Sequence, residues 1–345
     1  MMNVTPPAHK STPAVVVRRL PSGIPTPEDF ALTEVPVPAL ESGQVLVEVA
    51  ELSLDPYLRS VLAGRHLDDP AVGPGDVMPG RSVGVVREST DPTRPVGTWV
   101  VAETGWRAYA VVPAASTHPV DVPAGVPRSA ALGLLGMPGL TAFAAMERHL
   151  MPKPGETVVI SSATGGVGSV AGPLARAAGA RTVAVVGSAA KVDDALRLGY
   201  DAAVVRTDPD WLSALKHACP QGVDAYLHMG DMPTLHGVLG QLARGARVSL
   251  CGLMDQYNGG PRTMLPAGAI MTARATVYGL VVFDHLDLAE RFRARATELL
   301  RAGQITLHEE RHHGLDQAPV AFARLMSGQN RGKVVVVVNS EASPR

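Results

Sequence analysis

Cysteine is nearly missing from this chain of 345 residues: only Cys219 and Cys251 occur. Two thiols cannot build the disulfide framework of a small secreted domain, so the cytoplasm is the expected compartment. A membrane-spanning segment is missing too. A span needs about 20 predominantly apolar residues. The longest uncharged stretch, 130–146, is broken by Gly133, Gly136, Pro138 and Gly139 and reads as buried. The first twelve residues are polar and proline-rich with no apolar core, unlike a secretory signal, and 1–13 reads as a disordered leader. Charge of either sign is not in excess: the net value of −1 gives no electrostatic case for nucleic acid or an anionic membrane. Aromatic residues are scarce at 4%, which points to an aliphatic pocket.

What the chain does have is 35 glycines and 29 prolines set between apolar segments, a pattern of many tight turns. A hydrophobic share of 46% with 18% charged residues fits a packed globular protein, long enough for two domains. From 14 to about 126 the pattern is short strand-like runs: AVVVRRL, GQVLVEVAEL, RSVGVV, GTWVVAE and AYAVVP. Such runs, punctuated by Gly and Pro, predict a β-barrel or sandwich. From Thr157 the rhythm becomes strand–helix alternation, which predicts a parallel sheet. TVVISS, RTVAVVGS, DAYLHMG and RVSLCG read as strands; GVGSVAGPLARAAG, KVDDALRLG and TLHGVLGQLARG (234–245) read as helices. Residues 286–302 are helical in pattern with Gly303 as the stop, 309–328 read as a further helix, and GKVVVVV as a last strand returning to the first domain.

The sharpest local feature is the run Ala163-Thr164-Gly165-Gly166-Val167-Gly168 between a strand and a small-residue helix. A pyrophosphate needs backbone N–H donors and the positive end of a helix dipole, with no Cβ in the way. Gly165 and Gly168 allow the turn and close approach, and Gly172 lets helix and strand pack closely. Pro173 sits badly inside that helix, where it removes a hydrogen bond. An NAD-type site carries an acid about 20 residues past the first glycine. None occurs from Arg181 to Lys191; Ser188 and Lys191 offer a hydroxyl and a cation instead, which suits the 2′-phosphate of NADPH. The competing reading of Lys191 is a solvated lysine at a helix start.

With these residues in view the chain resembles the zinc-independent medium-chain dehydrogenases/reductases grouped with prostaglandin reductase, leukotriene B4 dehydrogenase, 2-alkenal double-bond reductases and curcumin reductase. The resemblance runs from Leu20 to Val338. It is carried in order by PSGIPTPEDF, Ser53-Leu54-Asp55-Pro56-Tyr57-Leu58-Arg59, Gly136-Met137-Pro138-Gly139-Leu140-Thr141-Ala142-Phe143 and the glycine run. Gly187-Ser188 with Lys191, Cys251-Gly252 with Tyr257-Asn258, Gly279-Leu280-Val281-Val282 and Gly328-Gln329-Asn330-Arg331-Gly332-Lys333 complete it. It implies an α/β architecture: a GroES-like β-barrel domain from 14–132 and 307–345, and a Rossmann domain with a doubly wound parallel sheet from 133–306. The active site is expected in the cleft, and the assembly is expected to be a homodimer extended through the strand near 278–282.

The resemblance also implies residue roles. Gly165, Gly166, Val167 and Gly168 would meet the pyrophosphate and Lys191 the 2′-phosphate, while Cys251, Gly252, Tyr257, Leu280, Val281, Val282 and Asn330 line the rest of NADPH. Hydride would pass to the β-carbon of an α,β-unsaturated carbonyl compound, with Tyr257 as the catalytic donor to the developing enolate and Tyr57 in the substrate wall. A packed barrel tyrosine is the other reading of Tyr57. Two departures stand out. Arg206 replaces a tyrosine near the adenosine phosphate, and is either a phosphate partner or a surface arginine. His228-Met229-Gly230-Asp231 replaces an Asp-Asn-Val-Gly-Gly run beside the nicotinamide.

No metal site is expected. The strand that carries Gly-His-Glu in zinc relatives reads Gly80-Arg81-Ser82-Val83, and no cysteine precedes Cys219. His312-His313 reads as a solvated turn and Cys251 as packing near the cofactor. Quinone reduction, carbonyl or imine reduction, and a non-catalytic NADPH-binding relative remain the alternatives.

Overall fold

The short β-branched runs of the N-terminal part form strands that zip together antiparallel, and the strand–helix alternation that follows forms a second, parallel sheet. In the computed structural model, residues 10–62, 64 and 71–339 are described. The chain divides into Met1–Leu132 with Glu310–Ser327 and Val334–Arg345, and Gly133–Glu309 with Gly328–Lys333.

The first unit opens with β1 (Ser11–Val17), β2 (Phe30–Pro36), β3 (Gln44–Ser53), helix α1 (Leu58–Leu62), β4 (Arg81–Ser89), β5 (Trp99–Glu103), β6 (Tyr109–Pro113) and β7 (His118–Pro119). The second runs through α2 (Met137–Ala144), β8 (Thr157–Ser161), α3 (Gly168–Ala177), β9 (Arg181–Val186), α4 (Val192–Arg197), β10 (Ala202–Val205) and α5 (Trp211–Ala218). It continues with β11 (Val223–His228), α6 (Met232–Leu239), β12 (Leu242–Leu250), α7 (Met254–Tyr257), α8 (Ala267–Ala273), β13 (Thr276–Gly279) and α9 (Ala289–Arg301). The return comprises β14 (Glu309–His313), α10 (Ala318–Met326) and β15 (Lys333–Val337).

In the first unit β3 is the spine, buried from Val45 to Ser53 and paired antiparallel with β4, β6 and β15. Valines and alanines of β3, β4, β5 and β6 fill one core, and Phe30, Trp106 and Phe322 fill another with ring centroids 5.5–6.1 Å apart. The DPYLR segment has a structural task here. Arg59 is 2% exposed, and its guanidinium donates to the carbonyls of Pro21 and Gly23 at 2.9–3.1 Å, anchoring the PSGIPTPEDF segment.

In the second unit six parallel strands lie in the order β10-β9-β8-β11-β12-β13. Counted from β8 this is 3-2-1-4-5-6, the doubly wound order, whose ligand crevice lies at the carboxyl ends of the strands where the order reverses, between β8 and β11. Val159, Val183, Val185, Tyr226 and Val248 from the sheet pack on Leu215, Leu235, Val238 and Leu239 from α5 and α6.

Four expectations need correction. Positions 1–9 of the expected leader lie outside the described residues, but Ser11 to Pro13 pair with Glu34 to Pro36 as part of β1. The helix expected over 234–245 ends at Leu239; Leu242 is already opposite Val223, because sheet pairing outweighs helical pattern there. Residues 309–313 are strand β14 beside β15 rather than the start of a helix. His312 and His313 therefore sit on a strand, not in a solvated turn, and His312 bonds Glu310 at 2.9 Å. Strand β10 and helix α5 went unread in the sequence: four residues of AAVV and a helix opened by Trp are too short for periodicity to declare.

Candidate cofactor site

Strand β8 is wholly buried and delivers the chain to Ser162, whose φ of 49° is left-handed, an uncommon conformation for a residue with a side chain. The hydroxyl of Ser162 donates to the Met229 carbonyl at 2.9 Å, which ties the end of β8 to the turn after β11. The Gly165 amide then closes the turn on Ser162 O at 2.9 Å, and α3 begins at Gly168 with no side chain capping its N-terminus. Uncapped first-turn amides at a helix start, together with the dipole, form an anion site.

The glycines differ in what they do. A Cβ on Gly168 would stand 2.6 Å from the carbonyl oxygens of both Ser162 and Ala163, so backbone would have to move. One on Gly165 would meet only Ser162 O at 3.2 Å, and one on Gly166 would meet the Lys333 stem at 2.9 Å, a flexible neighbour. Gly172 makes room for something unforeseen. Its missing Cβ leaves space for the ring of Tyr200, which would otherwise lie at 2.4 Å. The Tyr200 hydroxyl, held protonated by burial, donates to Gly168 O at 2.6 Å and reaches Ala163 O at 3.3 Å. Pro173 is inside α3, its sixth residue, and the helix runs only four residues beyond it. The missing amide leaves Ser169 O without its usual helical donor.

The turn after β9 gathers the expected 2′-phosphate residues. Ser188 is half-buried, and Lys191 is 8% exposed with Nζ donating to Gly328 O at 2.8 Å. Lys191 is therefore no solvated helix-start lysine. Gly328 belongs to a segment pinned by Arg331, which makes two bonds of 2.7 and 2.8 Å to the buried carboxylate of Asp194. Those bonds, from Arg331 first, hold the Asp194 carboxyl below its ordinary range. Asn330 in the same segment donates to Gly332 O at 2.8 Å. Arg206 follows β10 and pairs with Asp231 at 2.5 Å, a contact that joins the two departures from the family pattern.

The 228–231 turn is firmly built despite its altered sequence. Met229 N donates to Ser161 Oγ at 2.8 Å, Met254 N to Gly230 O at 3.0 Å, and Cys251 N and Gly252 N to His228 O at 2.9 and 3.2 Å. His228 is fully buried, bonded through Nδ1 to the Tyr226 hydroxyl at 2.8 Å, while its Nε2 has no partner among the described residues. Burial pushes its pKa down to about 4, against the opposing pull of Asp231 and the Gly230 amide.

Cys251 and Gly252 lead into α7, whose last residue is Tyr257. Burial raises the Tyr257 phenol pKa, the Cys251 thiol adds to it, and the Leu253 backbone opposes it. Burial also pushes the Cys251 thiol up to about 12, which leaves no thiolate for nucleophilic work at neutral pH. Leu280 donates its amide to Leu250 O at 2.9 Å, so Leu280, Val281 and Val282 follow β13 beside the end of β12. Tyr57, in the first unit, is half-buried, and its carbonyl opens α1 by accepting from Ser60 N and Oγ. Sequence reasoning missed Tyr200, Asp231, Ser161 and Ser162. None belongs to a motif, since each acts through a partner distant in the chain.

The glycine turn, the uncapped helix and the strand order fit a dinucleotide. Among the described residues, no group of three or more His, Cys, Asp or Glu side chains is placed to hold a metal ion, and no helix is long and apolar enough to cross a membrane. Residues 14–120 match the family described as the N-terminal domain of oxidoreductase, and 166–301 that described as zinc-binding dehydrogenase. The chain is 34% identical to the NADPH-dependent curcumin reductase of Escherichia coli (strain K12), over 94% of this chain and 96% of that protein. It is 33% identical to the NADP(+)-dependent 2-alkenal reductase of Nicotiana tabacum, over 96% and 98% of the two chains. CurA from Vibrio vulnificus in complex with NADPH superposes with a TM-score of 0.89 at 33% identity, over 95% of this chain and 99% of that one. Similarity of this extent, over a shared fold and glycine turn, shows that the chain belongs to the medium-chain dehydrogenase/reductase family of curcumin, 2-alkenal and prostaglandin reductases.

Proposed function

We propose that this chain is an NADPH-dependent reductase of activated carbon–carbon double bonds in small α,β-unsaturated carbonyl compounds. The observation that carries the reading is the whole-length identity to a curcumin reductase and a 2-alkenal reductase. In this reading Gly165, Gly166, Val167 and Gly168 take the pyrophosphate with backbone amides. Ser188, Lys191 and Arg206 take the 2′-phosphate. An ammonium has three donors, so the bond from Lys191 to Gly328 orients its charge without cancelling it. Cys251, Gly252, Tyr257, Leu280, Val281, Val282 and Asn330 line the remainder.

When bound, the cofactor supplies the hydride that reaches the substrate β-carbon. Negative charge then gathers on the carbonyl oxygen, and the chain's task is to place a donor there in a water-poor setting. Tyr257 suits that task, because burial holds its hydroxyl protonated through the neutral range. For Tyr57 we keep the substrate-contact role that the resemblance implies. The chemistry assigned here needs no zinc. A homodimer is the proposed assembly, with β13 as the open edge of the six-stranded sheet, and the cytoplasm the proposed compartment.

The test is Tyr257→Phe. Losing one donor to a developing oxyanion costs about 100-fold in turnover on an enone, while equilibrium NADPH affinity stays within about twofold of wild type. Unchanged turnover removes Tyr257 from the reaction. A wild-type protein that oxidises NADPH with quinones but with no enone or enal would overturn the reaction class.

A further inference from the structure

We propose that Asp231 is a positioning residue: it turns the guanidinium of Arg206 toward the turn after β9 and thereby sets the preference for a 2′-phosphorylated cofactor. The proposal rests on the NADPH reading above and adds to it a residue outside every motif.

Arg206 directly follows β10, and its amide donates to Val186 O at 2.9 Å, so its side chain starts beside the end of β9. Asp231 is the N-cap of α6, and its two carboxylate oxygens have separate partners. Oδ1 accepts the Thr234 amide at 2.9 Å, and Oδ2 accepts Arg206 Nη1 at 2.5 Å. With Nη1 engaged there, the other edge of the guanidinium faces Gly187. Arg206 Nε and Nη2 each lie 3.9 Å from the point where a Cβ of Gly187 would stand. That Nε–Nη2 edge is the fork that binds two oxygens of a phosphate at once. Gly328 O lies 4.0 Å from the same point and holds the Lys191 ammonium. Two cations thus converge on a glycine that puts no side chain between them and a ligand.

An arginine left to itself loses rotamer freedom when it binds, roughly 2 kcal/mol for such a side chain. Arg206 is 38% exposed on its side chain and Asp231 only 14%, so the carboxylate is the fixed partner and the guanidinium the guided one. Asp231 also carries negative charge, which taken alone repels a phosphate. Orientation and repulsion therefore predict opposite signs when the charge is removed, and the sign decides between them.

The experiment measures equilibrium dissociation constants for NADPH and NADH by calorimetric titration, on wild type, Asp231→Asn, Arg206→Ala and the double variant. Asn keeps an acceptor for the Thr234 amide, so the helix cap survives and thermal stability serves as the control. Arg206→Ala is expected to weaken NADPH by about tenfold or more, the worth of a charge-assisted bond, with NADH within about twofold. Asp231→Asn is expected to weaken NADPH by about three- to tenfold and leave NADH unchanged, and to add nothing in the Arg206→Ala background. Tighter NADPH binding by Asp231→Asn would overturn the proposal, as would equal losses for both nucleotides or a loss that persists without Arg206. Wild type that binds neither nucleotide would overturn the NADPH reading itself, whereas wild type that binds NADPH tightly with an unaffected Asp231→Asn would overturn only this inference.

Discussion

Two turns stand side by side at the carboxyl ends of the paired strands β8 and β11, and they are built in opposite ways. The turn after β8 is made of backbone: glycines at 165, 166 and 168, an amide closing on Ser162 O, and a helix start with no side-chain cap. The turn after β11 is made of side chains: a buried His228–Tyr226 pair, an Asp231 that caps a helix and grips Arg206, and Ser161 and Ser162 reaching across from β8. A backbone turn has few alternative sequences, because only glycine fits where another oxygen would meet a Cβ. A side-chain turn has many, because any set of partners that satisfies the same amides and carbonyls will hold it. The altered 228–231 segment is one such set.

The contrast is broken most severely by Gly168→Ala. Its new methyl would lie 2.6 Å from two carbonyl oxygens that no side-chain rotation can move. NADPH affinity is expected to fall by at least about 100-fold, near 3 kcal/mol, as the amides leave their positions. Gly165→Ala, with 3.2 Å to its nearest neighbour, should lose much less. Wild-type affinity in Gly168→Ala would show that the turn is not backbone-fixed after all.

The side-chain turn has a pH signature that the backbone turn lacks. His228 is neutral in the fold, its pKa pushed down to about 4 chiefly by burial, and ordinary, at 6.5, once unfolded. Unfolding therefore takes up a proton between those values. The stability His228 contributes is full above 6.5 and is lost as pH falls through that window, by up to about 3 kcal/mol. His149 and His308, also lowered by burial, add to the slope in the same direction. The measurement is denaturant unfolding from pH 7 to 4 for wild type and His228→Gln. The variant should show a visibly shallower fall, and identical slopes would mean that His228 is not buried as a neutral ring.

The same contrast explains what could be read in advance. The glycine run, the parallel sheet and the cation at Lys191 were legible because local chemistry specifies them: steric demand, alternation, and a missing acid after β9. The partner of Arg206 was not. Asp231 lies 25 positions later and looks like any helix cap, so only the fold reveals that one carboxylate serves both. Nor did Gly172 disclose its reason. The expectation was close packing of helix on strand, and the neighbour is Tyr200, from the segment between α4 and β10.

Tyr200 sharpens the comparison at its finest scale, because it is the one side chain that supports the backbone turn from beneath. Tyr200→Phe keeps the ring in the notch at Gly172 and removes only the donor to Gly168 O and Ala163 O. The expected cost is about 1 kcal/mol of stability, one hydrogen bond, with NADPH affinity down only a few-fold. Both changes are expected together, and NADH should weaken as much as NADPH, since the pyrophosphate is common to the two. That pattern separates support of the turn from the selective loss expected of Asp231→Asn. If unfolding by denaturant and nucleotide titration both match wild type, the hydroxyl is a bystander and the glycine turn stands on its own backbone alone.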